Sequence, residues 1–171
     1  MLGACNVQAT SIVFYEDGII QNGNEYDFVS VRNDAIVDMT GGVITNKLTA
    51  NDYSTVNIFN GSVGLIEAWN HSTVNLYGVT ISEYLKAYGT EDLVISIYGY
   101  GFEYDTLVGN YGGGQLTGFW FDDTPFSIDL FGDPGGPGGA PIDTYSHITL
   151  IPEPATILLL GLGGFLIRKR N

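Results

Sequence analysis

Ser54-Thr55-Val56-Asn57-Ile58 and Ser72-Thr73-Val74-Asn75-Leu76 repeat one word, Ser-Thr-Val-Asn, at 54–57 and again at 72–75. Apolar and polar side chains alternate in both, the period-two pattern of a strand with one buried face. The alternation recurs in Val37-Asp38-Met39 and Ile95-Ser96-Ile97, so the units begin at Val37, Val56, Val74 and Ile95, in steps of 19, 18 and 21. Other positions keep step. Gly42 and Gly61 are 19 apart, and Ile44, Val63 and Ile81 follow at 19 and 18. Each unit carries a second apolar segment: Lys47-Leu48-Thr49, Leu65-Ile66-Glu67-Ala68, Tyr84-Leu85-Lys86-Ala87. Two short strands per unit, separated by turn formers, describe one coil of a parallel β-solenoid. A single coil cannot bury its inner face, and stacked neighbours complete the core. Antiparallel hairpins or a sandwich of short strands would also alternate, but repeated words at constant period favour the solenoid.

The expected fold is therefore all-β: a short right-handed parallel β-solenoid of about four coils over residues 10–99, followed by a β-rich cap over 100–151. The inward set is Val37, Met39, Val56, Ile58, Val74, Leu76, Ile95 and Ile97, with Asn57 and Asn75 facing out. Asn33, Asn51 and Asn70 stand in turns, where asparagine tolerates left-handed backbone angles. Ile12–Tyr15, Gly18–Ile20 and Tyr26–Val31 read as strands that begin and cap the stack. In the cap, Gln115–Phe121 and Pro125–Phe131 alternate about Asp122-Asp123-Thr124, as a hairpin would, and Tyr145–Leu150 is a last strand. Gly132–Pro141, with three prolines and five glycines, reads as a loop.

Composition agrees. The 24 glycines and 11 tyrosines favour strands and turns over helices. One cysteine, Cys5, gives no internal disulfide framework. Three basic residues (Arg32, Lys47, Lys86) and 19 acidic ones precede Arg168, a net of −16. Such a body repels nucleic acid, which is not expected as a partner.

The carboxyl end differs from the rest. Pro152-Glu153-Pro154 is followed by thirteen positions, Ala155 to Ile167, and then by Arg168-Lys169-Arg170. The two prolines keep the junction extended. As a helix, this run reaches about 20 Å, against a hydrocarbon core of about 30 Å. Ala155, Ile157, Leu158, Leu159, Leu160, Leu162, Phe165, Leu166 and Ile167 form an apolar membrane segment, and the eight large ones contribute roughly −2 to −5 kcal/mol in sum. That is a weak foothold, suited to a temporary anchor. Arg168, Lys169 and Arg170 act as a cytoplasmic stop, leaving everything before Ile151 outside.

At the amino end there is no basic or long apolar leader, but Val7-Gln8-Ala9 has small residues where a signal peptidase prefers them. Residues 1–9 read as the remnant of a signal peptide, with Val7 and Ala9 as the cleavage site. Leu2-Gly3-Ala4-Cys5 gives a weaker alternative, a lipoprotein box with Cys5 carrying lipid.

The order Pro-Glu-Pro, apolar run, basic cluster closely resembles the PEP-CTERM sorting signal of Gram-negative bacteria, the tail also found on proteins labelled ice-binding. The repeated Ser-Thr-Val-Asn coils, Ile97-Tyr-Gly-Tyr-Gly-Phe102 and Gly112-Gly-Gly-Gln-Leu-Thr-Gly-Phe-Trp120 resemble secreted PEP-CTERM proteins of planctomycete-type bacteria. The resemblance makes Pro152, Glu153 and Pro154 the sorting motif within residues 152–171. It implies an exosortase-type transpeptidase as partner, a transient inner-membrane intermediate, and a final place at the cell surface or in the extracellular matrix. The expected function is an exported, non-enzymatic surface protein associated with exopolysaccharide or biofilm.

Chemistry-bearing motifs are sparse. His71 and His147 have no zinc spacing, and no nucleophile elbow, Walker loop or dinucleotide fingerprint occurs. No cofactor is expected. Asp122, Asp123, Asp129, Asp133 and Asp143 are the candidate calcium ligands, without the spacing of a calcium loop. Glu67 and Glu83 stand at nearly equivalent places on adjacent coils, the one candidate carboxylate pair for a polysaccharide-active enzyme, which is the third reading. The second reading is a glycan- or ice-binding module. Tyr53, Trp69, Tyr77, Tyr84, Tyr88, Tyr98 and Tyr100 would meet sugar rings unless they pack at coil corners, and Thr55 and Thr73 would present hydroxyls to a lattice.

Overall fold

Alternating strands lead the chain round a hollow that its own side chains fill. The computed structural model describes residues 10–89, 91–136 and 141–152. One wall stacks β1 (Ser11–Phe14), β3 (Glu25–Val31), β5 (Val43–Ala50), β7 (Ser62–Asn70) and β10 (Leu85–Gly89), all parallel. The other stacks β2 (Gly18–Ile20), β4 (Ile36–Met39), β6 (Thr55–Ile58), β8 (Thr73–Leu76) and β11 (Val94–Asp105), also parallel. A short β9 (Thr80–Ile81) pairs with the start of β7. Register irregularities between Tyr26 and Phe28 and between Ile44 and Lys47 interrupt the long strands of the first wall.

The result is a β-solenoid of about five turns, one more than the repeated words suggest. The added turn comes from the strands upstream of Ala35. Rather than only capping the stack, they join it in register, with Ser11 beside Phe28 and Gly18 beside Val37. All eight residues of the expected inward set are fully buried. Equivalent positions stack on one another: Val37, Val56, Val74 and Ile95 in one row, Leu48, Ile66 and Leu85 in another.

Turn chemistry sets the corners. Asn33, Asp52 and Asn70 adopt left-handed backbone angles, φ 59°, 59° and 61°. The second of these is Asp52, not Asn51 as expected from the tolerance of asparagine for such angles. Asn51 instead donates its N–H to Ser54 Oγ at 3.1 Å, which locks the turn one residue earlier. Gly61, at φ 117°, meets a second demand. A β-carbon there would sit 2.8 Å from the Gly42 carbonyl oxygen of the preceding coil.

The cap closes the stack. β11 runs past Gly99 and becomes the antiparallel partner of β12 (Gly112–Phe119), which pairs with β13 (Pro125–Asp133). β13 meets β10 at Leu85 and Leu130, so the hairpin joins the two walls. Leu116, Trp120, Phe126, Ile128 and Leu130 extend the core into it. β14 (Ile142–Asp143) pairs with the end of β13, and a 3-10 turn over Thr144–His147 precedes β15 (Ile148–Pro152). The last strand thus starts three residues later than expected. The buried Thr144 hydroxyl explains the delay: it donates to the Phe131 carbonyl at 2.7 Å and accepts the Ala87 N–H at 3.1 Å, pinning the chain in a turn. The expected loop at Gly132–Pro141 begins within β13, and residues 137–140 lie outside the described residues.

Candidate functional site

β15 carries the sequence that leads into the sorting triplet. Among the described residues it pairs with β11 alone, from Ile95 beside Ile148 to Gly99 beside Pro152, and so forms an edge of the second wall. Ile148 and Leu150 pack against the core, while Thr149 is exposed. Pro152 ends the strand, exposed to solvent. Proline lacks an N–H, so an edge strand tolerates it, and it cannot donate to an added strand there. The first residue of Pro-Glu-Pro is therefore part of this edge strand. Glu153 and Pro154, the apolar segment from Ala155 to Ile167 with its expected helix, and Arg168 to Arg170 lie outside the described residues, as do Val7, Ala9 and Cys5. Among the described residues no helix is long and apolar enough to cross a membrane.

The candidate chemical residues are engaged locally. Asp122 Oδ1 accepts the Thr124 N–H at 3.0 Å in the hairpin turn, and hydrogen bonds from Thr124 hold its carboxyl below the usual range. Asp123 Oδ1 accepts the Tyr100 hydroxyl at 2.7 Å. Asp129 accepts the Gln115 amide at 2.7 Å and the Asn110 amide at 2.9 Å. Burial works against that carboxylate, but these bonds outweigh it and its pKa is lowered. Asp133 Oδ1 accepts the Gly135 N–H at 2.9 Å. No group of three His, Cys, Asp or Glu placed to hold a metal occurs among the described residues. His71 stacks on Tyr53, centroids 4.7 Å apart, and lies 3.4 Å from an Asp92 oxygen. His147 Nδ1 is 3.3 Å from the Leu93 carbonyl.

The expected equivalence of Glu67 and Glu83 fails. Register places Thr49 and Lys86 beside Glu67, whereas the Glu83 N–H bonds the Gly64 carbonyl, three positions earlier. The coil spends three more positions than the pairing of the two glutamates would allow, so Lys86 takes the place expected of Glu83. Glu67 is nearly buried. Its carboxylate meets Lys47 Nζ at 3.2 Å, Lys86 Nζ at 3.9 Å and Trp69 Nε1 at 3.4 Å.

The aromatic residues mostly pack on one another. Tyr77 stacks between Phe59 and Tyr98 at 4.8 and 4.1 Å. Trp69 meets Tyr88 edge-on at 5.1 Å, Tyr84 leans on Tyr111 and Phe131, and Tyr100 stacks on Phe119. Of the seven singled out by sequence, Tyr53 alone is mostly exposed. Phe59 belongs to the same ladder and was legible: it follows Ile58 as Tyr77 follows Leu76 and Tyr98 follows Ile97. Burial, a hydrogen bond with Tyr98 and the nearby Asp38 push the Tyr77 hydroxyl up to about 12. The threonine row on the second wall holds only Thr55 and Thr73, flanked by Ile36 and Val94. Beside it, Asn57 donates to Asp38 at 2.7 Å and Asn75 to Asn57 at 2.8 Å, a ladder that ties three coils.

No curated protein and no solved structure matches the chain. The family comparison finds one segment, which begins within β15 and runs through the triplet, the apolar run and the basic cluster: residues 150–170 carry a PEP-CTERM protein-sorting motif, which implies an exported protein processed at the membrane by an exosortase-type enzyme.

Proposed function

We propose that this chain is a non-enzymatic surface or matrix protein whose solenoid is carried across the membrane, held briefly by its apolar tail and released at Pro152–Pro154 into extracellular polysaccharide. The observation that carries the reading is the junction. The sorting motif begins within β15, the edge strand of the second wall, so the processed segment starts on a strand that is held in register with the stack. A processing enzyme needs an accessible, extended substrate. The exposed Pro152 at the end of an edge strand supplies the start of one. The local engagement of Asp122, Asp123 and Asp129 in turn and hairpin hydrogen bonds favours a scaffold over an enzyme.

Deleting residues 153–171 leaves every described strand intact. The expected outcome in the native cell is release of unprocessed protein into the medium. Surface retention of the deletion at wild-type levels would overturn the reading.

A further inference from the structure

The charge of the body is not evenly spread. Its three basic residues, Arg32, Lys47 and Lys86, come from three different coils, yet all fall on the outer face of the first wall. Strand alternation requires this. Val29 and Val31, Leu48 and Ala50, and Leu85 and Ala87 point into the core, so Ser30, Lys47, Thr49 and Lys86 point out, and Arg32, one residue past β3, lies on the same side through its bond to Ser30. Register aligns Phe28, Lys47 and Leu65 in one outward row and Ser30, Thr49, Glu67 and Lys86 in the next. Glu67 is the one acidic residue in these two rows, and it is nearly buried between the two lysines. With Arg32 beside them, this patch keeps net positive charge on a molecule that is otherwise strongly acidic. A groove of about 380 Å³ runs over the part of it that carries Arg32 and Lys47, lined also by Phe28, Thr49, Glu67 and Trp69, while Lys86 stands behind Glu67 outside that lining.

We infer that this groove binds a carboxylated polysaccharide, laid across the strands of the first wall. Parallel strands lie about 4.8 Å apart, so successive coils offer contacts at regular intervals along an extended chain. Arg32 is exposed, and its Nε donates to Ser30 Oγ at 3.2 Å, which fixes a guanidinium fork over the groove. A planar fork suits a carboxylate in two-point contact. Trp69 and Phe28 add apolar surface for the C–H faces of sugar rings, and Thr49 adds a hydroxyl. An anionic bilayer fits less well. Basic residues near a lipid surface contribute about 1 kcal/mol each, and two net charges would be opposed by the acidic remainder. Moreover Lys86 is packed 4.6 Å from the Phe131 ring centroid and 5.2 Å from that of Trp69, not extended toward a surface.

This inference rests on the matrix assignment for its biological setting but is tested independently of sorting, on purified full-length protein in detergent. Migration is measured through gels containing polygalacturonate or neutral dextran. In parallel, phosphatidylglycerol or phosphatidylcholine is added to the detergent micelles as a competitor. The expected result is retardation by polygalacturonate that weakens with salt, none by dextran, and the same retardation with either lipid. Arg32→Gln should weaken retardation roughly tenfold, the loss of one charge-assisted contact, and Arg32→Glu should abolish it. Both lie at an exposed position, and unchanged circular dichroism would establish that they fold. Asn60→Asp makes the same change in net charge as Arg32→Gln, at an exposed corner away from the groove, and keeps the oxygen that accepts the Gly61 N–H. It should leave retardation unchanged. The inference is overturned by absence of retardation, by equal retardation in dextran, by relief with phosphatidylglycerol alone, or by Arg32→Glu behaving as wild type. Surface retention of the tail deletion, with retardation intact, would remove the proposed setting and leave the groove.

Discussion

Ile58 shows how one side chain carries the repeat. It is fully buried, with Met39 on the coil before it and Leu76 on the coil after. Truncation leaves a cavity that two neighbouring coils must share. Ile58→Ala should cost about 2–5 kcal/mol in urea denaturation. Asn57, next to it, faces the other way. It donates to Asp38 and accepts from Asn75, so Asn57→Ala breaks two bonds at once and should cost about 1–2 kcal/mol. Alternation made both orientations legible. The ladder was not, because an outward asparagine finds its partner only when the coils are in register.

At the scale of elements, two groups give the molecule opposite pH limits. Within the second wall, Tyr77 is held neutral by burial and its bond with Tyr98, with a pKa of about 12. Its unfolded value is near 10. The stabilisation is complete below about pH 10 and is lost as pH rises toward about 12. Alkaline unfolding followed by tyrosinate absorbance should show this step, and Tyr77→Phe should reduce it, leaving the part due to Tyr84 and Tyr104, which burial also raises. In the hairpin, Asp129 has a lowered pKa because the bonds from Gln115 and Asn110 outweigh its burial. Its contribution is present above the unfolded carboxylate value near 3.9 and is lost as pH falls below it. Fluorescence of the buried Trp120 should report hairpin loosening on acidification, and Asp129→Asn should weaken that pH dependence, leaving the part due to Asp122. The hairpin itself was visible as two alternating runs about Asp122-Asp123-Thr124. Its role in joining the walls depends on Leu130 meeting Leu85, a contact between residues far apart in sequence.

For the whole molecule, the sorting motif begins on the strand that closes the described stack. Because β15 is held by five register positions against β11, cleavage beyond Pro152 should leave the stack whole. Mass spectrometry of surface material should find the body ending at or just after the triplet, with protease resistance equal to that of the full chain. What the sequence determined by itself was everything that repeats or is read linearly. The near-constant period of the Ser-Thr-Val-Asn units gave the coils, alternation gave the inward face, and the order of Pro-Glu-Pro, apolar run and basic cluster gave the sorting motif. The tertiary structure alone decided the fifth turn, the Thr144 pin, the pairing of Glu67 with Lys47 and Lys86 rather than its equivalence with Glu83, and the gathering of three cations on one wall. The physical reason is shared. A coil's internal pattern is local, but which residues become neighbours depends on how much chain each coil spends in its turns, and only stacking fixes that length.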